Sequence, residues 1–505
     1  MKTANFIVCS AAVAIGLVGI TAAQVQVLPE APQSTDPGVW ADEAVFPIPP
    51  DAYPATQRLA PGTIPDVVEL PPARPPAPGA DSYNAGYVDE LPPDLVPPPV
   101  WSNTPDGGRV WAVEFRSLDA VPLRLRLRGR FGLDGLELRV YDPKGAWTHG
   151  PYQGLYVDEN GHWWTTIIFG DSIGLEFHAP PGMEAEPSVP EFDGYACYNL
   201  PPPESESPQL GCDLEDVMCH GEWLSTAEGV CMLAVVNGNV VGYSSGGLLG
   251  RNPSDGSPFI MTANHCDPMS RATVFVWNYR STRCNGPDPG PPNSNPRNEG
   301  AHLMRSASTA DWKLLALRER PKAGRFLGWA SGFWDSFADG TGIHHPRGMN
   351  QSISWGYNEG MAYGEFCPQI GPCFWAHTWG VRLTTGTTFP GSSGSPVFDS
   401  SRRVRGTLSG GYNCDVDYYG RLQHAWDRMK SFLHNPASPM YVDTNYGGEE
   451  MHGTSEEPFP RLVQGVYAVR AGDRVIIRAG SYPDRMTIFR PMTLTASGGV
   501  VRIGN

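Results

Sequence analysis

The chain has 505 residues, more than one hydrophobic core organises, so several domains are expected. It carries 53 Asp and Glu against 37 Lys and Arg, a formal net charge of -16, which argues against nucleic acid and anionic membranes as partners. Its 51 prolines are unevenly spread and mark the joints between domains.

Residues 1–23 begin with Lys2, continue through an apolar core from Phe6 to Ile20 and end on Thr21-Ala22-Ala23, the pattern of a secretory signal with a small-residue cleavage site. That core is shorter than the ~20 residues a membrane span needs, so an extracellular, soluble product with no membrane insertion is expected. Residues 24–100 are dense in proline and read as an extended, poorly ordered spacer. From 101 to 182 the pattern alternates: Leu123-Arg124-Leu125-Arg126-Leu127-Arg128, Leu136-Glu137-Leu138-Arg139-Val140 and Ile173-Gly174-Leu175-Glu176-Phe177 each bury one face and solvate the other. A small antiparallel β-sandwich is predicted there, its arginine face solvated rather than a polyanion site. Residues 183–208, with Pro201-Pro202-Pro203, read as a linker, and 209–445 as the largest domain, closing with a helix from His424 to Leu433 stopped by Asn435-Pro436. In 446–505 the short runs Val475-Ile476-Ile477, Met486-Thr487-Ile488, Met492-Thr493-Leu494 and Val500-Val501-Arg502-Ile503 predict a partial parallel β-helix, too short to bury its own core and therefore docked on something.

The chemistry is concentrated in the large domain. Thr262-Ala263-Asn264-His265-Cys266, Thr309-Ala310-Asp311-Trp312 and Gly391-Ser392-Ser393-Gly394-Ser395-Pro396 supply a histidine, an aspartate and a serine, each beside a short apolar run. A serine hydroxyl becomes a nucleophile when an imidazole takes its proton and a carboxylate orients that imidazole, so His265, Asp311 and Ser393 are the candidate catalytic triad. Gly391 and Gly394 permit a tight turn in which the N–H groups of Gly391 and Ser393 form an oxyanion hole.

The region from about Cys212 to Leu433 resembles the trypsin-like double β-barrel serine proteases, and within them the bacterial lysyl endopeptidases. The matching residues are Thr262-Ala263-Asn264-His265-Cys266, Trp277-Asn278-Tyr279, Ile343-His344-His345-Pro346, the Ser393 hexapeptide and Asp417-Tyr418-Tyr419-Gly420-Arg421. The resemblance implies a mainly β, chymotrypsin-like double β-barrel of two six-stranded barrels with the site between them, a propeptide-like domain ahead of it, and protein or peptide substrates. Thr387 stands where the digestive enzymes carry their specificity aspartate, so the S1 pocket is expected to use Asp417 behind Ser409 and Gly410, favouring lysine. The family has a histidine where Ser409 stands, which leaves lysine against lysine-plus-arginine open. Ser392 precedes the nucleophile where the digestive zymogens have an aspartate, so activation should not need a buried α-amino group. No Lys or Arg occurs between Lys144 and Arg251, so an enzyme cutting after basic residues cannot free itself near Leu210.

Nine cysteines from Cys197 to Cys414 fit an oxidising compartment. The family pattern implies Cys212–Cys414 and Cys219–Cys284; Cys367 and Cys373 are expected to close a short loop, Cys231 to substitute as the partner of Cys266, and Cys197 to be left over. With no CxxC pair and no HExxH, neither a metal nor a cofactor is expected. A monomer is expected. Two rival readings are a serine endopeptidase of other P1 preference, such as glutamyl, and a protease fold serving only as an adhesive scaffold.

Overall fold

The alternating runs become strands because each buries one row of side chains. The computed structural model describes residues 25–27, 63–71 and, with short breaks, 86–198 and 213–504; the predicted signal segment 1–23 lies outside them. Two sheets make the N-terminal sandwich. One orders Asp66–Glu69, Arg109–Arg116, Ser172–Ala179, Glu137–Tyr141 and Thr148–Tyr152, with Ser102–Asn103 alongside; the other orders Gly86–Glu90, Glu191–Tyr198, Leu123–Arg128 and His162–Trp164. Leu123, Leu125 and Leu127 point between the sheets into a core with Phe115, Leu138, Leu175 and Phe177.

Three expectations are corrected here. Asp66–Glu69 and Gly86–Glu90 lie inside the predicted spacer, and Glu191–Tyr198 inside the predicted linker. Proline keeps to the flanks of these strands, at Pro65, Pro71 and Pro92, while Val68, Phe192 and Tyr195 are buried in the sandwich. The arginine face is not uniformly solvated either: Arg124 is 1 % exposed and donates to Thr165 O (2.7 Å), and Arg126 pairs with Asp193 at 2.8 Å. The reason is that this sheet's outer face packs against the next domain.

The first barrel orders Arg297–Glu299, Val274–Trp277, Val230–Asn237, Val240–Leu249, Phe259–Thr262, Trp312–Leu317 and Ala301–Ala307. Its two end strands are one stretch of chain bent at Gly300, whose φ is 71°. Gly300 donates to Thr273 O and accepts from the Arg318 N–H, so the bend ties together the two edges of what is an open half-barrel. The second barrel closes through a ladder: Ser352–Phe366, Asp339–His344, Pro396–Phe398, Val404–Tyr412, Val416–Arg421 and Phe374–Thr385, which pairs back to Ser352–Phe366. Val25–Val27 and Glu215–Asp216 add to that last strand as edge pieces.

The helix forms over Leu422–Leu433. Beyond it the tail is a three-stranded parallel sheet of Met440–Val442, Arg474–Tyr482 and Thr493–Ile503 with a helix, Leu462–Ala468. The run Met486-Thr487-Ile488 forms no strand, and the last two predicted runs merge into one. Phe459, Leu462, Val466 and Val475 share a buried cluster with Phe259 and Phe432, so the tail docks on the barrels themselves.

Candidate active site

Two paired strands bring the first two candidate residues together. Phe259–Thr262 lies against Trp312–Leu317 with Thr262 opposite Lys313, which places the turn holding His265 beside Asp311. Asp311 takes a left-handed backbone (φ 45°, ψ 52°), a conformation aspartate tolerates better than most residues. Its Oδ2 accepts from His265 Nδ1 at 2.7 Å and its Oδ1 from the His265 backbone N–H at 2.8 Å. Both oxygens are committed to one residue, which fixes the ring and leaves Nε2 as the proton acceptor. Burial penalises a charged ring, but the Asp311 carboxylate, with the Cys266 sulfur beside it, outweighs this and raises the His265 pKa well above 6.5. Phe374 stacks on the imidazole with ring centres 5.6 Å apart.

The turn that holds the candidate nucleophile, Ser393, comes from the other barrel. Gly391 and Gly394 have φ of 96° and 81°. A Cβ at 391 would meet Arg347 N at 2.5 Å, and one at 394 would meet Thr262 Oγ1 at 2.1 Å, so both positions demand glycine. The N–H groups of Ser392, Gly394 and Ser395 donate to Phe389 O, Leu408 O and Ser392 O. Those of Gly391 and Ser393 donate to no acceptor among the described residues. The Ser393 carbonyl accepts from the Ser245 N–H (2.8 Å) and from Ser244 Oγ (2.7 Å). No hydrogen bond joins Ser393 Oγ to His265 among the described residues. Cys266 Sγ lies 3.6 Å from Nε2 and 3.1 Å from Ser244 Oγ, so a short chain of contacts links the imidazole to the nucleophile turn. Ser392 Oγ accepts from the Phe389 N–H and bonds His344 Nδ1 at 2.8 Å.

Asp417 stands opposite Gly411 in the ladder between Val404–Tyr412 and Val416–Arg421. It is 2 % exposed, and its oxygens accept from Thr388 Oγ1 (2.9 Å) and Tyr419 Oη (3.4 Å). Burial, opposed only by these hydroxyls, raises its pKa to about 7. Ser409 Oγ, on the same wall, is buried without a partner among the described residues, and Gly410 keeps the wall free of a side chain. Thr387 is buried beside Thr388 but does not bond Asp417; Thr388 does.

Sequence reasoning did not identify Thr388, Phe374, Ser244 or Ser245. Phe374 and Ser244 reach across the barrels from positions that carry no local motif. His344 and His345 are buried and shifted down to about 3 and about 4 by burial; they brace the nucleophile turn, His345 donating its N–H to Ser245 Oγ (2.9 Å). Among the described residues no group of three or more His, Cys, Asp or Glu side chains could hold a metal ion.

Cys219–Cys284 and Cys367–Cys373 are disulfides. Cys414 is disulfide-bonded, and Cys212 lies outside the described residues. The expected Cys231–Cys266 bridge is absent, since both are thiols. Cys231 points into the first barrel, 3.6 Å from Gly246 O, whereas Cys266 turns toward Ser244 and His265. Cys197 is a buried thiol of the sandwich.

Residues 210–420 match the family model "Lysyl endopeptidase, C-terminal domain" and residues 98–189 match "Lysyl endopeptidase N-terminal domain", together more than half of the chain. Among solved structures, the active form of the Rv3671c protease from M. tuberculosis aligns at 15% identity and TM-score 0.33, over 47% of this chain and 97% of that one. The serine endoprotease from Yersinia pestis aligns at 14% identity and TM-score 0.29, over 41% and 64%. The MamO protease domain from Magnetospirillum magneticum aligns at 13% and 0.29, over 41% and 98%.

Proposed function

Because this chain belongs to the lysyl endopeptidase family and is a serine endopeptidase, we propose that His265, Asp311 and Ser393 are its catalytic triad and that it cuts peptide chains after basic residues, lysine foremost. The observation that carries the reading is the double hydrogen bond from His265 to Asp311, which occupies Nδ1 and leaves Nε2 to accept a proton.

In the proposed reaction His265 Nε2 takes the Ser393 proton as Oγ attacks the scissile carbonyl carbon. The resulting oxyanion is received by the N–H groups of Gly391 and Ser393. His265 then gives its proton to the departing amine, leaving an acyl-enzyme, and water repeats the sequence to release the acid. Asp311 holds the ring and stabilises its charged form throughout. To take that proton His265 Nε2 must exchange its contact with Cys266 Sγ for one with Ser393 Oγ while Nδ1 keeps its hydrogen bond to Asp311.

The S1 assignment rests on Asp417. A carboxyl held near neutrality by burial ionises readily when an ammonium arrives, and the pair forms where water is scarce. An acidic P1 side chain would be repelled there, which disfavours the glutamyl alternative. The disulfides fit an oxidising compartment, and with the signal-like residues 1–23 they support secretion. Digesting a protein mixture and sequencing the new C-termini by mass spectrometry tests the proposal: they should be predominantly Lys, then Arg, and a different terminal residue would refute the role of Asp417.

A further inference from the structure

The outer face of the first barrel is built to be covered. Strands of a sheet with one wet face alternate apolar and polar residues. Here Val230–Asn237 reads Val-Cys-Met-Leu-Ala-Val-Val before its asparagine, and Val274–Trp277 is apolar throughout. Cys231, Leu233, Phe275 and Trp277 fill the barrel, while Met232, Ala234, Val236, Val274 and Val276 point the other way and are equally buried. What covers this second row is the N-terminal sandwich, through Trp164, Ile167, Phe169, Ala196 and Tyr198.

Polar groups cross the same seam. Arg297, buried in the barrel, donates to Ile167 O (2.7 Å) and Thr166 Oγ1 (3.3 Å) of the sandwich. Asn293 accepts from the Phe169 N–H (2.8 Å) and donates to Phe169 O (3.0 Å), and Tyr198 Oη donates to Val235 O (3.0 Å). None of these contacts involves His265, Asp311, Ser393 or Asp417, so the seam does not plug the site.

The covered strand also leads to the nucleophile. On Val240–Leu249, Val241 packs in the seam and Tyr243 lies on Tyr198, ring centres 5.4 Å apart. The next two residues are Ser244 and Ser245. Ser244 Oγ and the Ser245 N–H both donate to the Ser393 carbonyl, and Ser245 Oγ donates to Gly391 O at 2.9 Å. These two serines form a hydroxyl clamp on the Ser393 turn.

We propose that the N-terminal sandwich is a permanent part of the working protease: it stays seated if the chain is cut between Tyr198 and Asp213, and it steadies the strand whose Ser244 and Ser245 are positioning residues for Ser393. The second half rests on the reading of Ser393 as nucleophile. The sequence agrees, since no Lys or Arg lies between Lys144 and Arg251 for the enzyme itself to cut.

The test uses the full chain with a recognition sequence for a sequence-specific protease inserted between Tyr198 and Asp213. After cutting, the two pieces should co-elute on size exclusion under native conditions and keep activity on a lysyl peptide. Separation of the pieces, with the protease piece fully active alone, would overturn the proposal. Ser245→Ala and, in the seam, Val241→Asp should lower kcat and the rate of Ser393 acylation by a fluorophosphonate, on the order of 10²-fold, with KM little changed, as misplacement of a reacting group does. Unchanged acylation in a folded Val241→Asp protein would refute the coupling. If the uncut parent is not labelled at Ser393, the clamp's catalytic role falls with the nucleophile assignment, while co-elution still decides whether the sandwich stays.

Discussion

Gly411 and Asp417 face each other across one rung of the second barrel, and a Cβ at 411 would lie 2.0 Å from Asp417 Oδ1. The wall is bare at the point where the carboxylate approaches it. Removing that charge by Asp417→Asn should lower kcat/KM on lysyl peptides by roughly 30-fold to several-thousand-fold, the range for losing one partner of a buried charge pair. Gly411→Ala should act in the same direction by displacing the carboxylate. Steady-state kinetics on matched lysyl and neutral P1 peptides separate a pocket effect from a general loss.

Asp417 also sets a pH dependence of stability. Its folded pKa of about 7 lies above the ordinary 3.8, so the fold favours the neutral carboxyl. That contribution is full below the ordinary value and is lost as pH rises through about 7. Asp417→Asn, which cannot ionise, should therefore match the parent near the ordinary value and be more stable in alkali, by at most about 4 kcal/mol at 1.36 kcal/mol per unit. Denaturant melts across the pH range read this directly; a variant less stable than the parent in alkali would refute it.

His265 must be neutral to act as base, and Asp311 raises its pKa above 6.5. On a neutral P1 peptide, where Asp417 plays no part, kcat/KM should rise with pH through a midpoint above that value. Asp311→Asn should cost on the order of 10⁴ in kcat, the scale for losing the correct imidazole tautomer. A midpoint at or below 6.5 in the parent would contradict the pairing.

The tail should unfold with the barrels. Phe459 is fully buried, its ring 5.0 Å from Phe432, and Arg251 of the first barrel donates to Val469 O and Ala468 O. Phe459→Ala should destabilise the whole protein by about 3–5 kcal/mol, as core truncations of this size do. Calorimetry should keep a single transition for barrels and tail, and a separate early melt of residues 440–504 would refute the shared core.

Local signatures were legible where the chemistry is local. Glycines 391 and 394 around Ser393, and Asp311 between a short turn and an apolar strand, announce themselves because their backbones tolerate few other residues. Asp417 was legible through its motif, but its partner was not: Thr387 and Thr388 are adjacent, and only the ladder shows which hydroxyl reaches the carboxylate. The Cys231–Cys266 expectation failed because it counted thiols without their directions, one inward and one toward the cleft. The spacer and linker boundaries failed because proline density hid strands flanked by proline rather than containing it.

The central claim is that one serine, one histidine and one aspartate from two barrels act together, and covalent titration tests it most directly. A fluorophosphonate should acylate one residue per chain, Ser393, with loss of peptidase activity in proportion, and His265→Ala should abolish the labelling while the fold persists. Labelling at another residue, or an enzyme fully active after Ser393 is blocked, would contradict the account.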